Sequence, residues 1–309
     1  LDSSKTISIP ANDEEIVITR HSISAKIQDY QQLSKFRLTS LVVFSAAMGF
    51  VIATRGDFKL AQLLWLVAGG FLVAGASNAF NQVIERDLDK LMDRTRNRPL
   101  PAGRMQVSEA MIAATLMAVA GIAILWKFMN PLCGLLSGVS LLLYVLLYTP
   151  LKRITPFSVF VGAIPGAFPP LLGFVAAHHQ ITYEALLLYA IQFIWQFPHF
   201  WAIAWVLDDD YKKAGFKMLP SAGGRDRSSA FQTMAYTLCL IPLALLPQFF
   251  GMISWPTTLI IVVSGILFSF QSFKLYKHLD VKSARQLMFG SFIYLPVVQL
   301  AMMMDALIR

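Results

Sequence analysis

Charge is what this sequence has least of: Asp, Glu, Lys and Arg make up 14% of its 309 residues, while hydrophobic residues make up 56%. Soluble domains carry roughly a quarter charged residues, so a soluble globular class is excluded. Cysteine is almost absent as well. Cys133 and Cys239 are the 2 in the chain, and neither has a C-x-x-C or His-rich neighbourhood. No disulfide framework or zinc site is therefore indicated, and both residues are read as packing residues. The first 30 residues lack the apolar core of a signal peptide, and Asp13, Glu14 and Glu15 do not suit an acid-free transit peptide. A polar cytoplasmic tail over 1-30 is expected, followed by one intramembrane domain over 31-309.

What the chain does have is long apolar runs. Nine lie near 38-54, 60-84, 108-128, 131-150, 157-177, 183-206, 230-250, 255-273 and 286-307. Each is close to the ~20 residues that cross a bilayer as a helix, whereas barrel strands would be ~10 alternating residues. The expected fold is all-α, a polytopic membrane protein with nine transmembrane helices in one bundle. The net charge of +8 could suggest nucleic acid, but its distribution argues otherwise. With a cytoplasmic N-terminus and alternating loops, every Lys and Arg except Arg55, Lys59, Lys127 and Arg309 falls on the cytoplasmic side, and the C-terminus lies outside. Basicity here reflects topology. Lys26 to Arg37 is expected to form a surface helix that turns Tyr30, Leu33 and Phe36 toward lipid or the first span, with a solvated tail as its alternative.

The exceptional stretch is Asn78 to Arg104, where acids, amides and arginines close an apolar span. At about 100° per residue, a helix puts Asn78, Asn81, Glu85 and Asp89 on one stripe about 80° wide, with Asp87 opposite. Two carboxylates one turn apart suit a hard divalent cation. Arginines beyond them suit the diphosphate that such a cation would bridge. The ordinary alternative is an acidic helix end with salt bridges to Arg86, Lys90 and Arg94. Position favours the first, because the stripe sits at the membrane boundary, where acids can meet water and metal.

Other polar groups gather at the same end. Lys152 and Arg153 close the fourth span, either as site cations or as simple anchors. The fifth span carries Gly162, Pro165, Gly166, Pro169, Pro170 and Gly173, which predicts a kinked helix. In the sixth, Gln192, Gln196, His199 and Asp210 fall on an arc of about 60° if the helix continues unbroken, with Asp208 and Asp209 elsewhere. An intramembrane histidine is a functional candidate, with interhelical hydrogen bonding as its alternative. The loops Arg98 to Arg104 and Lys217 to Arg225 resemble each other, so the second and sixth spans read as counterparts of a weak repeat.

Taken together, these motifs resemble the UbiA superfamily of intramembrane prenyltransferases, and the resemblance covers all nine spans. Its first motif, Asn-Asp-x-x-Asp-x-x-x-Asp followed by Arg-x-x-x-Arg-Pro, stands here as Asn81 to Asp89 and then Arg94 to Pro99, with Gln82 and Glu85 departing from the pattern. The second motif, Asp-x-x-x-Asp, ends at Asp210 and has Val206 in place of its first acid. Trp195-Gln196-Phe197-Pro198-His199-Phe200, Asp210-Tyr211 and Tyr148-Thr149 through Lys152-Arg153 are more similar to the haem branch than to the quinone branch.

The resemblance implies transfer of a farnesyl group from farnesyl diphosphate to a vinyl group of protohaem IX, with addition of water. It implies Mg²⁺ on Glu85, Asp89 and Asp210, with Asn81 as amide ligand or donor. Arg94, Arg98, Lys152 and Arg153 would take the diphosphate, and His199 with Gln196 the haem. It further implies a bacterial inner membrane, no nucleic acid, and a downstream haem-modifying enzyme or terminal oxidase assembly as partner. The alternatives are a prenyltransferase acting on an aromatic quinone precursor and a transporter. The second conflicts with polar residues gathered at one edge instead of the midplane.

Overall fold

The computed structural model describes residues 6–7, 18–19 and 23–309. Among these, Thr6–Ile7 and Ile18–Thr19 form one short antiparallel pairing, and helices make up the remaining regular structure. Helix α1 (Ile23–Leu33) precedes α2 (Phe36–Thr54), α3 (Leu60–Asp89), α4 (Val107–Met129), α5 (Pro131–Leu151) and α6 (Ser158–His178). Then come α7 (Tyr183–Val206), α8 (Asp208–Lys213), α9 (Arg227–Phe249), α10 (Trp255–His278) and α11 (Val281–Ile308). Among the described residues, all but α1 and α8 are long and apolar enough to cross a membrane, nine in number as the hydropathy pattern predicts.

Side-chain caps fix several helix starts by accepting the first free amides. Asn130 caps α5 through the Cys133 amide at 2.8 Å, Asp226 caps α9 through Ser229 at 2.7 Å, and Asp280 caps α11 through Ser283 at 2.7 Å. Between α4 and α5 only Asn130 intervenes, so these helices form a tight hairpin. Large apolar side chains such as Leu116, Phe270 and Phe289 are more than half exposed on the outer surface, as a bilayer solvent requires.

The inner packing depends on close backbone approach. A Cβ on Gly49 of α2 would lie 2.3 Å from the Pro170 carbonyl oxygen, and one on Gly173 of α6 would lie 2.2 Å from that of Ala46. Only glycine lets α2 and α6 cross at this distance. The kink expected in α6 is present: the helix breaks at Ala167, between Pro165 and the Pro169-Pro170 start of its second half. Buried amides join the helices around that break. Gln192 donates to the Gly166 carbonyl at 2.9 Å and accepts from Gln299 at 3.0 Å, and Gln299 also bonds Ser45.

Helix α1 straddles residue 30 and is bonded to the bundle on both sides of it. Lys26 and Tyr30 meet Glu109 at 2.8 and 2.9 Å, Asp29 pairs with Arg104 at 2.9 Å, and Leu33 is fully buried. Between α1 and α2 the chain turns at Lys35, whose φ of 48° is left-handed.

Candidate active site

The site begins where α3 leaves the apolar zone. Because α3 runs unbroken to Asp89, its periodicity holds: Asn78, Asn81, Glu85 and Asp89 are buried, while Asp87 faces out and pairs with Arg86 and Lys90. Each buried acid has its own cation. Glu85 meets Lys152 Nζ at 2.6 Å, and Asp89 Oδ2 meets Arg98 Nη1 at 2.7 Å. Asp89 Oδ1 is buried without a hydrogen-bond partner.

Asn81 sits between two further elements. Its Oδ1 accepts from Lys35 Nζ at 3.2 Å, and its Nδ2 donates to Thr149 Oγ1 at 3.2 Å. Lys35 thus adds a third cation beside two acids, a residue that sequence reasoning did not single out. Burial and the neighbouring positive charges of Arg98 and Lys152 pull its ammonium down to about 7. Lys152 is held differently: burial acts to lower it, but the facing Glu85 carboxylate prevails and it lies above its ordinary value. The Lys152 ammonium also stands over the rings of Tyr148 and Phe216, at 4.8 and 5.4 Å. A π-helical turn over Leu143–Tyr148 shifts the phase of α5 just before Thr149 and Lys152.

Gln82 has another task. Its Nε2 donates to the Gln32 and Leu33 carbonyls at 2.9 and 2.7 Å, closing the end of α1. An aspartate could not do this, because an ionised carboxylate has no donor.

The sixth span departs from its expected helical count. The helix stops at Leu207, with φ −101° and ψ 11°, and α8 restarts the phase, so Asp210 does not continue the arc of α7. Its carboxylate instead accepts from the Asp93 and Arg94 amides at 2.8 and 3.3 Å, tying the two acidic loops together. Asp208 is the buried acid of this group and pairs with Lys212 at 2.7 Å. Lys217 N donates to the Lys152 carbonyl at 2.7 Å, which fastens the later loop to α5.

The remaining candidates are divided. Arg94 is exposed, its guanidinium 5.9 Å from the Tyr211 ring centroid. Arg153 is exposed and lies outside the ion network, so of the expected Lys152-Arg153 pair Lys152 alone faces the acids. Gln196 and His199 do not act on one partner: Gln196 donates to Ala163 of α6 at 3.0 Å, whereas His199 bonds Ser291 of α11 at 2.8 Å. Glu85, Asp89 and Asp210 do not form a ligand triad. Among the described residues, no three His, Cys, Asp or Glu groups could by themselves hold a metal ion.

Fold and site together define a polytopic membrane protein with a cluster of paired acids and cations at one end of its bundle. Residues 42–295 match the UbiA prenyltransferase family, and the chain belongs to that family. It is 49% identical, over 92% of its length and 99% of the relative's, to a Protoheme IX farnesyltransferase of Cytophaga hutchinsonii. Among solved structures, a digeranylgeranylglyceryl phosphate synthase superimposes with a TM-score of 0.77 at 18% identity, over 92% of this chain and 99% of that one. A UbiA homolog from Archaeoglobus fulgidus bound to GPP and Mg²⁺ superimposes with a TM-score of 0.62 at 15% identity, over 89% and 99%.

Proposed function

We propose that this chain transfers the farnesyl group of farnesyl diphosphate to a vinyl group of protohaem IX, with addition of water, giving haem O and diphosphate. The observation that carries this reading is the 49% identity, over nearly the whole of both chains, to a Protoheme IX farnesyltransferase. The site chemistry agrees with it. Lys35, Arg98 and Lys152 outnumber Glu85 and Asp89, so the cluster favours an added anion.

Mg²⁺ fits the donors available. They are oxygen donors at Glu85 and Asp89, one of them the unpartnered Asp89 Oδ1, with Asn81 alongside. Mg²⁺ commonly takes one or two carboxylates and completes its shell with water and substrate phosphate, so a protein triad is not required. When bound, it supplies positive charge where the leaving diphosphate becomes negative. Asp210 contributes by holding the Asp93–Arg94 backbone in place.

In the reaction, the C1–O bond of farnesyl diphosphate breaks and its electron pair leaves with the diphosphate. Arg98 and Lys152 shift from the protein's carboxylates toward that anion, with Lys35 beside them and Arg94 at the mouth. The vinyl π pair closes a bond to C1 and leaves a cation on the carbon next to the porphyrin. Water adds there and gives up a proton. The apolar helices enclose the farnesyl chain and keep water from C1 until the carbon–carbon bond has formed. His199 presents itself to the haem.

In this reading the protein sits in a bacterial cytoplasmic membrane with the acid and cation cluster on the cytoplasmic side, a reading that the Lys and Arg distribution supports. Its product passes to a downstream haem-modifying enzyme or terminal oxidase assembly. The test is to incubate membranes containing the chain with farnesyl diphosphate and either protohaem IX or a hydroxybenzoate, then read product masses. Protohaem IX heavier by one farnesyl group and one hydroxyl is expected. Prenylation confined to the aromatic acid would overturn the reading.

A further inference from the structure

Asn81 could turn either end of its carboxamide toward the charged cluster, and its two neighbours decide which. On one side stands Lys35, whose ammonium donates and has no lone pair to accept with, so the atom facing it at 3.2 Å is Oδ1. On the other side Nδ2 meets Thr149 Oγ1 at 3.2 Å, and that hydroxyl has a second contact: it lies 2.9 Å from the Tyr144 carbonyl oxygen. A carbonyl oxygen only accepts, so the single threonine proton goes to Tyr144. The threonine oxygen is left to accept from Asn81. Both neighbours therefore select one orientation, with the amide nitrogen toward α5 and the amide oxygen toward Lys35. Asn81 and Thr149 are 1% and 2% exposed, so bulk water offers neither side chain another partner.

The backbone puts Thr149 in this place. After the π-helical turn Leu143–Tyr148, the Thr149 N–H reaches back to the Tyr144 carbonyl, the same oxygen that takes its hydroxyl. A π turn closes over one residue more than an α turn, and one residue is worth about 100° of rotation. In an unbroken α-helix Thr149 would be turned away from α3 by about that angle.

The two contacts of Asn81 fare differently when an anion arrives. Lys35 is a flexible four-carbon arm that also feels the charges of Glu85 and Asp89, and a diphosphate draws its ammonium away from Oδ1. The contact to Thr149 joins two buried, uncharged groups on packed helices and stays. From then on Thr149 alone prevents the amide from flipping and presenting two N–H donors to a site that takes a cation.

We propose that Thr149 is a positioning residue, which holds the Asn81 carboxamide with its oxygen facing the cation site of Glu85 and Asp89. Hard cations take oxygen donors, and an amide N–H at that point would repel one. Resting on the Mg²⁺ and diphosphate part of the reading above, this role is independent of which acceptor takes the farnesyl group. It also separates the two parts left open for Asn81: the side chain serves the site as an oxygen donor to the metal and not as an N–H donor to the anion.

The experiment measures binding of Mn²⁺, a hard oxygen-seeking stand-in for Mg²⁺, to the purified full-length chain in detergent with a non-cleavable farnesyl thiolodiphosphate present. Loss of the free-ion signal in electron paramagnetic resonance reads the bound fraction without any turnover. Thr149→Val keeps the branched shape and removes the acceptor, and should weaken Mn²⁺ binding about tenfold, the lower end of what loss of a ligand's outer hydrogen bond costs. Thr149→Ser should recover it. In an Asn81→Asp background the side chain ends in two equivalent oxygens and needs no orienting, so adding Thr149→Val there should change Mn²⁺ affinity less than twofold. Should Thr149→Val give no folded chain, Thr149→Ala carries the same comparison. Wild-type Mn²⁺ affinity in Thr149→Val, or an equal loss in the Asn81→Asp background, would overturn the proposal. A wild type that binds no Mn²⁺ yet forms haem O would overturn it and leave the function standing, whereas the expected Mn²⁺ pattern in a chain that forms no haem O would uphold the role of Thr149 and overturn the haem reading alone.

Discussion

Removing the Arg98 guanidinium would leave Asp89, which is fully buried, with its charge unbalanced. Arg98→Ala is expected to lower stability by about 3 kcal/mol or more, and adding Asp89→Asn should recover most of it, since the pair then vanishes together. Thermal unfolding in detergent measures both. Alone, Asp89→Asn should cut kcat/KM by about 100-fold. Near wild-type turnover at limiting Mg²⁺ would refute the metal assignment. Lys35 brings a pH dependence. Its ammonium is present below about 7 and lost above it, so farnesyl diphosphate affinity should fall as pH rises through that value. Lys35→Arg should flatten the curve, because a guanidinium stays charged. The folded value lies below the free one, so the fold itself should gain stability as pH climbs between about 7 and 10.5. Equilibrium binding and unfolding across that range check the two signs. The sequence makes the buried stripe of α3 legible because one uninterrupted helix carries it. Lys35 was not legible, since its place depends on a left-handed turn that no periodicity encodes.

At the level of whole elements, the same contrast separates α3 from the α7–α8 pair. Counting at a constant angle works to Asp89 but fails across Leu207, where α7 ends and α8 restarts. Asp208 and Asp210 exchange apparent places for that reason: one is buried beside Lys212, and the other braces the preceding acidic loop. Lys152 and Arg153 are adjacent in sequence and face different ways, which residue type alone does not show. Helix α1 supplies a direct test. Gln82→Met keeps the side-chain length but removes both bonds to the Gln32 and Leu33 carbonyls, each worth about 1 kcal/mol. Hydrogen exchange in α1 should speed up while that in the middle of α3 stays unchanged. Unaltered exchange in α1 would show that Glu109 and Arg104 suffice to hold it.

For the molecule as a whole, the nine spans were legible from hydropathy because a bilayer leaves helices few ways to satisfy their backbone. Their mutual arrangement was not, since it depends on contacts such as the α2–α6 crossing at Gly49 and Gly173. Gly173→Leu should prevent α2 and α6 from closing, seen as loss of a folded, monodisperse species in size-exclusion chromatography. An unchanged unfolding temperature in that variant would contradict the geometry. Gln82 also bears on how such a chain can diverge. Its amide serves α1 where the family motif has an acid, so an acid at this position would set a negative charge against two carbonyl oxygens. Relatives with an acid there should differ together at the last turn of their first helix, and covariation between position 82 and positions 32–35 should appear in an alignment that spans both kinds.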